Sequence, residues 1–395
     1  MIGYVLPTRD RPDSLRRTLD TLARLEGEDA RGQVVVVDNA SDSPPDLPER
    51  LDNGLEVVGI RNEDNRGAAS RNQGVEALDP ACAWAVLLDD DSAPEVHAGA
   101  ISAALARQGP EVAAVMADIH LPASGKRESG GLPEVFIGCG VAVRRDAFLE
   151  AGGYDESFHY YAEEYDLAAR FLLSGAQITF EPAFVVRHEK ATKGRDFGVI
   201  IRRLVRNNGW VAARYAPDLE MAGTYQEVRT RYRTIAEREN VLDSYERGLN
   251  DLTRSLKTQP RRPMPPAIWD RFTGMAHARD ALDRAMRDKP FASAAIVGQG
   301  KNAWAVVTAL DEWSVTLREP TDADTWVVGT MSPGPMIDAA LAAAGCGKRV
   351  VLPWAAAASA HDAGAFDAVP LTPPGSGDAG DARARAPRYP DRPAA

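Results

Sequence analysis

At 395 residues the chain exceeds the size at which one hydrophobic core stops growing, so more than one domain is expected. Its 44% hydrophobic and 26% charged residues are ordinary globular composition, and a formal net charge of −11 argues against a dedicated nucleic-acid binder. Cys82, Cys139 and Cys346 lie far apart, with neither metal-ligand spacing nor an even count for disulfides. With no uncharged apolar run near the roughly 18 residues of a membrane span, and no basic-then-apolar leader before the first strand, a soluble or at most peripheral cytoplasmic protein is expected.

The first half alternates short apolar strands with helical stretches, the pattern of an α/β sheet with parallel strands. Strands are expected at Ile2 to Leu6, Val34 to Val37, Leu55 to Ile60, Trp84 to Leu88, Val112 to Ala117 and Val141 to Val143. Helices are expected at Asp13 to Leu25, Ala68 to Leu78, Glu95 to Gln108 and Leu167 to Leu173. Polar residues follow the carboxyl ends of the strands: Thr8 and Arg9, then Asp38 and Asn39, then Asp89, Asp90 and Asp91. That edge of an open α/β sheet is where ligands bind. From about Asp196 to Asp288 the pattern turns helical and charged, interrupted by the proline-rich Pro260 to Pro266. A second α/β unit is expected from Ala294 to Leu352, about half a nucleotide-binding fold in length. The division is thus residues 1–217 for the main α/β domain, 218–290 for a helical connection, 291–371 for a small half-Rossmann-like accessory domain for acceptor recognition or self-association, and 372–395 for a tail whose composition predicts disorder.

Three adjacent carboxylates after an apolar strand repel one another unless a cation or donors sit among them. Hard divalent ions such as Mg²⁺ or Mn²⁺ take oxygen ligands and complete their shell with substrate phosphates, so Asp89 to Asp91 is a candidate metal and phosphate site. The competing reading is an acidic turn in which Asp91 to Pro94 caps a helix. Asn65, Arg66, Gly67 and Ala68 to Asn72 place small residues at a helix start, where backbone N–H groups can receive a phosphate and Arg71 can clamp a diphosphate; a plain helix start with solvated arginines is the alternative. Gly138-Cys139-Gly140 permits either a close backbone approach or a tight bend. Tyr160, Tyr161, Glu163, Glu164 and Asp166 precede a helix; they make a charged helix start, or a setting in which Glu164 gains the raised pKa of a general base. His188 ends the apolar run Val185-Val186-Arg187.

Taken in this order, Pro7-Thr8-Arg9 with Arg11, Val37 to Ser41, Asn65 to Asn72, Asp89 to Asp91, Gly138 to Arg145, Gly152 to Glu156, Glu163 to Leu167 with Arg170, and His188 resemble family-2 glycosyltransferases of the GT-A fold, especially bacterial rhamnosyltransferase-like and galactofuranosyltransferase-like members. The resemblance covers about Met1 to Pro217. It implies a nucleotide-binding mixed sheet flanked by helices and an inverting, metal-dependent transfer of one sugar from a UDP-, dTDP- or GDP-sugar to an acceptor hydroxyl. It further implies that Pro7, Thr8, Arg9, Asp38, Asn65, Gly67, Arg71, Asp89 and Asp90 meet the nucleotide-sugar. Asp91 and His188 would hold Mn²⁺ or Mg²⁺, Glu164 would be the base, and Glu163, Asp166 and Tyr161 would line the acceptor side. Glu164 stands where the family usually has Asp. A nucleotidyltransferase and a catalytically inactive sugar-nucleotide-binding scaffold are the alternatives; the former's early glycine-rich phosphate loop is not evident after Leu6. The arginines of 195–215 suit either an anionic membrane surface or packing on the preceding domain. Gly298-Gln299-Gly300-Lys301 lacks the third glycine of a dinucleotide fingerprint.

Overall fold

A computed structural model describes residues 1–95, 99–190, 196–345 and 347–354, all within one compact unit. The expected tail at 372–395, the end of the accessory unit at 355–371, Cys346 and Arg195 lie outside the described residues.

The elements run β1 (Ile2–Thr8), α1 (Pro12–Leu22), β2 (Gly32–Asp38), β3 (Glu56–Arg61), α2 (Ser70–Glu76), β4 (Trp84–Leu87), β5 (Ser92–Pro94), α3 (Ala100–Ala106), β6 (Val112–Leu121), β7 (Lys126–Arg127), β8 (Val141–Arg144), α4 (Arg145–Glu150), α5 (Glu163–Leu173), β9 (Gln177–His188) and α6 (Phe197–Tyr215). The strands form one mixed sheet in the order β3-β2-β1-β4-β8-β6-β9-β5, with β7 added on β6. β1 to β4 are mutually parallel, β8 runs against both its neighbours, and β6 and β9 are parallel. Val34 to Val37 are wholly buried, as an uninterrupted valine run in a strand covered on both faces must be. This is the mixed α/β class, with helices flanking a central sheet, that the sequence predicts. α2 lies so close to the sheet that a β-carbon on Gly74 would fall 2.3 Å from a Val5 methyl, which excludes any larger residue there.

One local expectation is overturned. Asp91 to Pro94 does not cap a helix: Ser92, Ala93 and Pro94 pair antiparallel with His188, Arg187 and Val186, and α3 starts only at Ala100. Pro94 is tolerated because β5 is the last strand of the sheet. This tertiary pairing, opposing Ser92 to His188, brings the aspartate run to the histidine.

Helices α7 (Asp218–Arg238), α8 (Leu242–Ser255), α9 (Pro266–Thr273) and α10 (Met275–Asp288) follow. α6 shares a core with α7 and α8 made of Ile201, Val205, Val228, Tyr232, Ala236 and Tyr245. Of its basic residues, Arg214 is buried against Asp155 and Asp166, Arg202 pairs with Asp251, and Arg206 lies over the Trp210 ring, so the helix spends these charges within the chain. No helix among the described residues is long and apolar enough to cross a membrane.

The last described segment holds β10 (Ser293–Val297), α11 (Ala303–Glu312), β11 (Thr316–Leu317), β12 (Thr325–Val328), α12 (Pro333–Ala343) and β13 (Arg349–Val351). Its strands form a separate parallel sheet in the order β11-β10-β12-β13.

Candidate active site

β1 and β2 end side by side, pairing Thr8 with Asp38. Asp38 is buried; its Oδ1 accepts from the Ser41 N–H at 3.0 Å, while Oδ2 has no hydrogen-bond partner and is 3.8 Å from Arg61. An unsatisfied buried carboxylate oxygen at this edge is a ready acceptor for a ligand donor. Arg9 is half exposed on the rim near Asp10, and Pro7 is half-buried inside β1, opposite Val37.

Thr8 turns to the aspartate run, where its hydroxyl donates to Asp90 Oδ2 at 2.9 Å. Asp90, expected on the nucleotide, is 3% exposed and meets Arg11 at 2.5 Å, and its backbone carbonyl accepts from the Thr18 hydroxyl. Burial pushes its pKa up to about 7 although Arg11 and Thr8 oppose the shift. It is an interior group that holds Arg11 in place.

The turn at 65–67 is likewise built inward. Asn65 Oδ1 accepts from Asn39 Nδ2 and from the Gly67 N–H, both at 2.9 Å, and Asn39 Oδ1 accepts from the Arg66 N–H. The Ala68 N–H, one of those expected to receive a phosphate, donates to the His159 carbonyl at 2.7 Å. Gly67 has φ +63°, and a β-carbon there would sit 2.1 Å from that same carbonyl oxygen. At this helix start the Asn65 side chain and the Ala68 N–H are thus taken up by contacts within the chain.

Arg71 is buried in α2, and its guanidinium reaches the Asp89 carboxylate and the Leu88 carbonyl. It lies beside the acidic start of α5. Glu163 is buried with Oε2 unpartnered, and Glu164 Oε1 accepts from the Gly138 N–H at 3.3 Å. Burial raises the pKa of both acids; for Glu163 the Glu164 charge adds to the rise, while Arg71 opposes it for each. A β-carbon on Gly138 would lie 3.4 Å from Glu164 Oε1, 3.5 Å from the Tyr154 hydroxyl and 3.7 Å from the Arg71 guanidinium carbon. The Tyr154 hydroxyl, also buried, has no partner. Acid, phenol and guanidinium thus converge on the α-carbon of residue 138.

Asp166, expected on the acceptor side, is 1% exposed and receives Arg170, Arg214 at 2.8 Å and the Tyr215 hydroxyl at 2.7 Å. All its lone pairs face the interior, where it ties α5 to α6.

Tyr161 is half-buried in a run of left-handed residues: His159, Tyr161 and Ala162 have φ of +63°, +72° and +68°. Such conformations in side-chain-bearing residues persist only where the surroundings impose them. Here the Asn207 amide, wholly buried in α6, donates to the carbonyls of Phe158, Tyr160 and Tyr161 at 3.1, 2.9 and 2.6 Å.

The pairing of β5 with β9 places His188 Nε2 3.3 Å from Asp91 Oδ1. Asp91 Oδ2 also takes Arg11 at 2.6 Å. The other ring nitrogen, Nδ1, lies 3.1 Å from Glu128 Oε2 and 3.4 Å from the Cys139 sulfur, and Glu128 Oε1 takes Lys190 at 2.6 Å. Burial works against charge on the imidazole, but the hydrogen bonds from Asp91, Cys139 and Glu128 outweigh it and push the His188 pKa up to about 12. Burial also opposes charge on Asp91, yet His188 and Arg11 hold its carboxyl well below the usual range.

This arrangement fits a divalent ion. Cis ligands of an octahedral ion bound at about 2.1 Å lie roughly 3 Å apart, close to the Asp91–His188 spacing. Asp89, Cys139 and His188 also offer donor atoms within 4.8 Å of one another. With Nε2 turned to an ion, Nδ1–H would keep Glu128 as the carboxylate that orients a metal-bound imidazole. Arg11, Cys139 and Glu128 were not among the expected site residues. Glu128 directly follows β7, and only the pairing of β7 with β6, of β6 with β9 and of β9 with β5 reveals its position; the pattern Gly138-Cys139-Gly140 was the one sequence signal for Cys139.

Residues 4–130 match the family model described as Glycosyl transferase family 2. A pre-mycofactocin glycosyltransferase of Mycobacterium tuberculosis is 26% identical over 219 residues, which cover 50% of this chain and 44% of that protein, so the match spans under half the length of the relative. Among solved structures, Staphylococcus aureus TarS 1-349 in complex with UDP-GlcNAc is similar at a TM-score of 0.46 and 14% identity, covering 79% of this chain and 91% of that one. The mannosyltransferase PcManGT of Pyrobaculum calidifontis in complex with GDP-Man and Mn²⁺ gives 0.43 and 15%, covering 79% and 86%.

Proposed function

We propose that the chain is a metal-dependent glycosyltransferase that moves one sugar from a nucleotide-sugar to an acceptor hydroxyl with inversion. One observation carries the reading: two adjacent residues connect the two halves such chemistry needs, since the Gly138 N–H meets Glu164 while the Cys139 sulfur meets His188. These contacts support a base and a divalent-ion site next to one another, and residues 4–130, which include Asp89, Asp90 and Asp91, match a glycosyltransferase family model.

Asp91 and His188, with Asp89 beside them, would hold the ion, which supplies Lewis-acid stabilisation of the departing diphosphate. Arg71, anchored by Asp89, contributes fixed positive charge on the same side. Asp38 Oδ2 accepts from the nucleoside part of the donor. Glu164, whose basicity is raised by burial, takes the acceptor proton while the acceptor oxygen bonds the anomeric carbon. The bond from that carbon to the phosphate oxygen breaks, and its electron pair leaves with the nucleoside diphosphate. A single displacement inverts the centre. The name of the curated relative makes pre-mycofactocin the first acceptor to offer.

The test is nucleoside diphosphate release from a panel of UDP-, dTDP- and GDP-sugars with Mn²⁺ or with EDTA, repeated on Asp91→Ala. Release that needs both the ion and Asp91 is expected. Failure of every donor to bind in the presence of Mn²⁺ would overturn the reading.

A further inference from the structure

We propose that the C-terminal four-stranded unit braces the metal-binding end of the first sheet, with Asp338 a positioning residue that acts on His188 through Arg127 and Glu128. This rests on the glycosyltransferase reading only in taking Asp91 and His188 as metal ligands.

The link is a short strip of chain, 126–131. Asp338 of α12 accepts from the Arg127 N–H at 2.8 Å and from its guanidinium at 2.7 Å. The Gly130 N–H donates to the hydroxyl of Ser332, just before α12, at 3.1 Å. The helix start presses against the strip, since a β-carbon on Gly334 would lie 2.7 Å from the Glu128 carbonyl oxygen and 2.8 Å from Arg127 Cβ. A second contact comes from the loop after β10. There Lys301 Nζ sits 3.9 Å above the ring of Tyr165, whose hydroxyl donates to the Gly130 carbonyl at 2.6 Å. Through Tyr165, Lys301 of the motif Gly298-Gln299-Gly300-Lys301 thus reaches the strip. Beyond it, Glu134 is held by Arg271 of α9 and His277 of α10.

A brace is needed because the strip cannot fix itself. β7 has two residues and pairs with β6 only through His120–Arg127 and Leu121–Lys126. Glu128 follows at once, its N–H donating to the Ile119 carbonyl at 2.8 Å and its carboxylate reaching His188. A carboxylate that orients a metal-bound imidazole works only as well as its own backbone is held. Arg127 is pinned on one side by Asp118 of β6 at 2.8 Å and on the other by Asp338, so removal of Asp338 takes away the anchor that comes from α12.

The experiment is titration of the full chain with Mn²⁺ alone, counting bound ion by loss of the free-ion electron paramagnetic resonance signal. Glu128→Gln should weaken binding about 10- to 100-fold, and Asp338→Ala in the same direction by about threefold or more. The double variant should bind within about twofold of Glu128→Gln alone, because residues acting through one path do not add. Hydrogen exchange of peptides spanning 126–131 should rise in Asp338→Ala. If that variant does not fold, Asp338→Asn, which keeps the size and an acceptor for the Arg127 N–H, carries the same comparison. An Asp338 variant that binds Mn²⁺ as wild type, or whose effect multiplies with that of Glu128→Gln, would overturn the brace and leave the proposed function standing. Wild-type protein that takes up no Mn²⁺ would instead overturn the metal assignment, and the brace with it.

Discussion

Glu164→Gln separates catalysis from stability within one side chain. The substitution keeps the size of the group and leaves an amide oxygen for the Gly138 N–H, so the contact with residue 138 is preserved. It removes the atom proposed to take the acceptor proton, and loss of a general base lowers turnover about 10²- to 10⁴-fold, or about 2.7 to 5.4 kcal/mol of barrier. Stability moves the other way. The folded pKa of Glu164 is raised chiefly by burial, so the folded state holds its proton more tightly than the unfolded chain does. Such a group lowers stability as pH rises above its unfolded value near about 4.3, and the loss is complete once pH passes the raised folded value. Gln carries no such penalty, and it also relieves the Glu164 charge that lifts the Glu163 pKa. The variant should therefore melt at or above the wild-type temperature at pH 8 while turning over at most a hundredth as fast. Calorimetry and diphosphate release, each measured from pH 5 to 9, check both halves. A variant that keeps more than about a tenth of wild-type turnover would refute the assignment of the base, and one that melts well below wild type at pH 8 would refute the electrostatic account.

Gly138→Ala should fold normally, because the new methyl meets its neighbours at 3.4 to 3.7 Å, yet it fills the point where Glu164, Tyr154 and Arg71 converge; an unchanged melting temperature with turnover down about tenfold or more is expected, read by calorimetry and product release. Asn207→Ala removes the side-chain donor to the carbonyls of Tyr160 and Tyr161 and one of the donors to that of Phe158, and should cost about 2 to 3 kcal/mol in urea unfolding, with a raised KM for the acceptor if the released segment lines that side.

The parallel strands β1 to β4 were legible because they are short apolar runs separated by helical patterns, and the positions of Thr8, Asp38 and Asp89 follow from where those strands end. Long-range pairing was not legible. Asp91-Ser92-Ala93-Pro94 carries a strong local helix-cap signal, and only the ladder to 186–188 overrides it. Asp166 reads as one of three similar acids until Arg214 and Tyr215, 48 and 49 residues on, turn it inward. Glu128 has no motif at all, since its partner is 60 residues away and is chosen by the register of neighbouring strands. The aspartates and His188 stood out for a different reason: adjacent like charges and a strand-terminal imidazole need an explanation that folding alone does not supply.

The left-handed residues His159, Tyr161 and Ala162 and the Asn207 amide that donates to the carbonyls around them have a consequence for recombination. Residues 158–162 and position 207 lie on different elements, yet neither is interpretable without the other, because the backbone shape of one is specified by the side chain of the other. A chimera that imports this loop from another chain to change acceptor preference must import Asn207 with it. A crossover placed between the two would separate a conformation from the group that enforces it, and the loop would relax to whatever its new α6 allows.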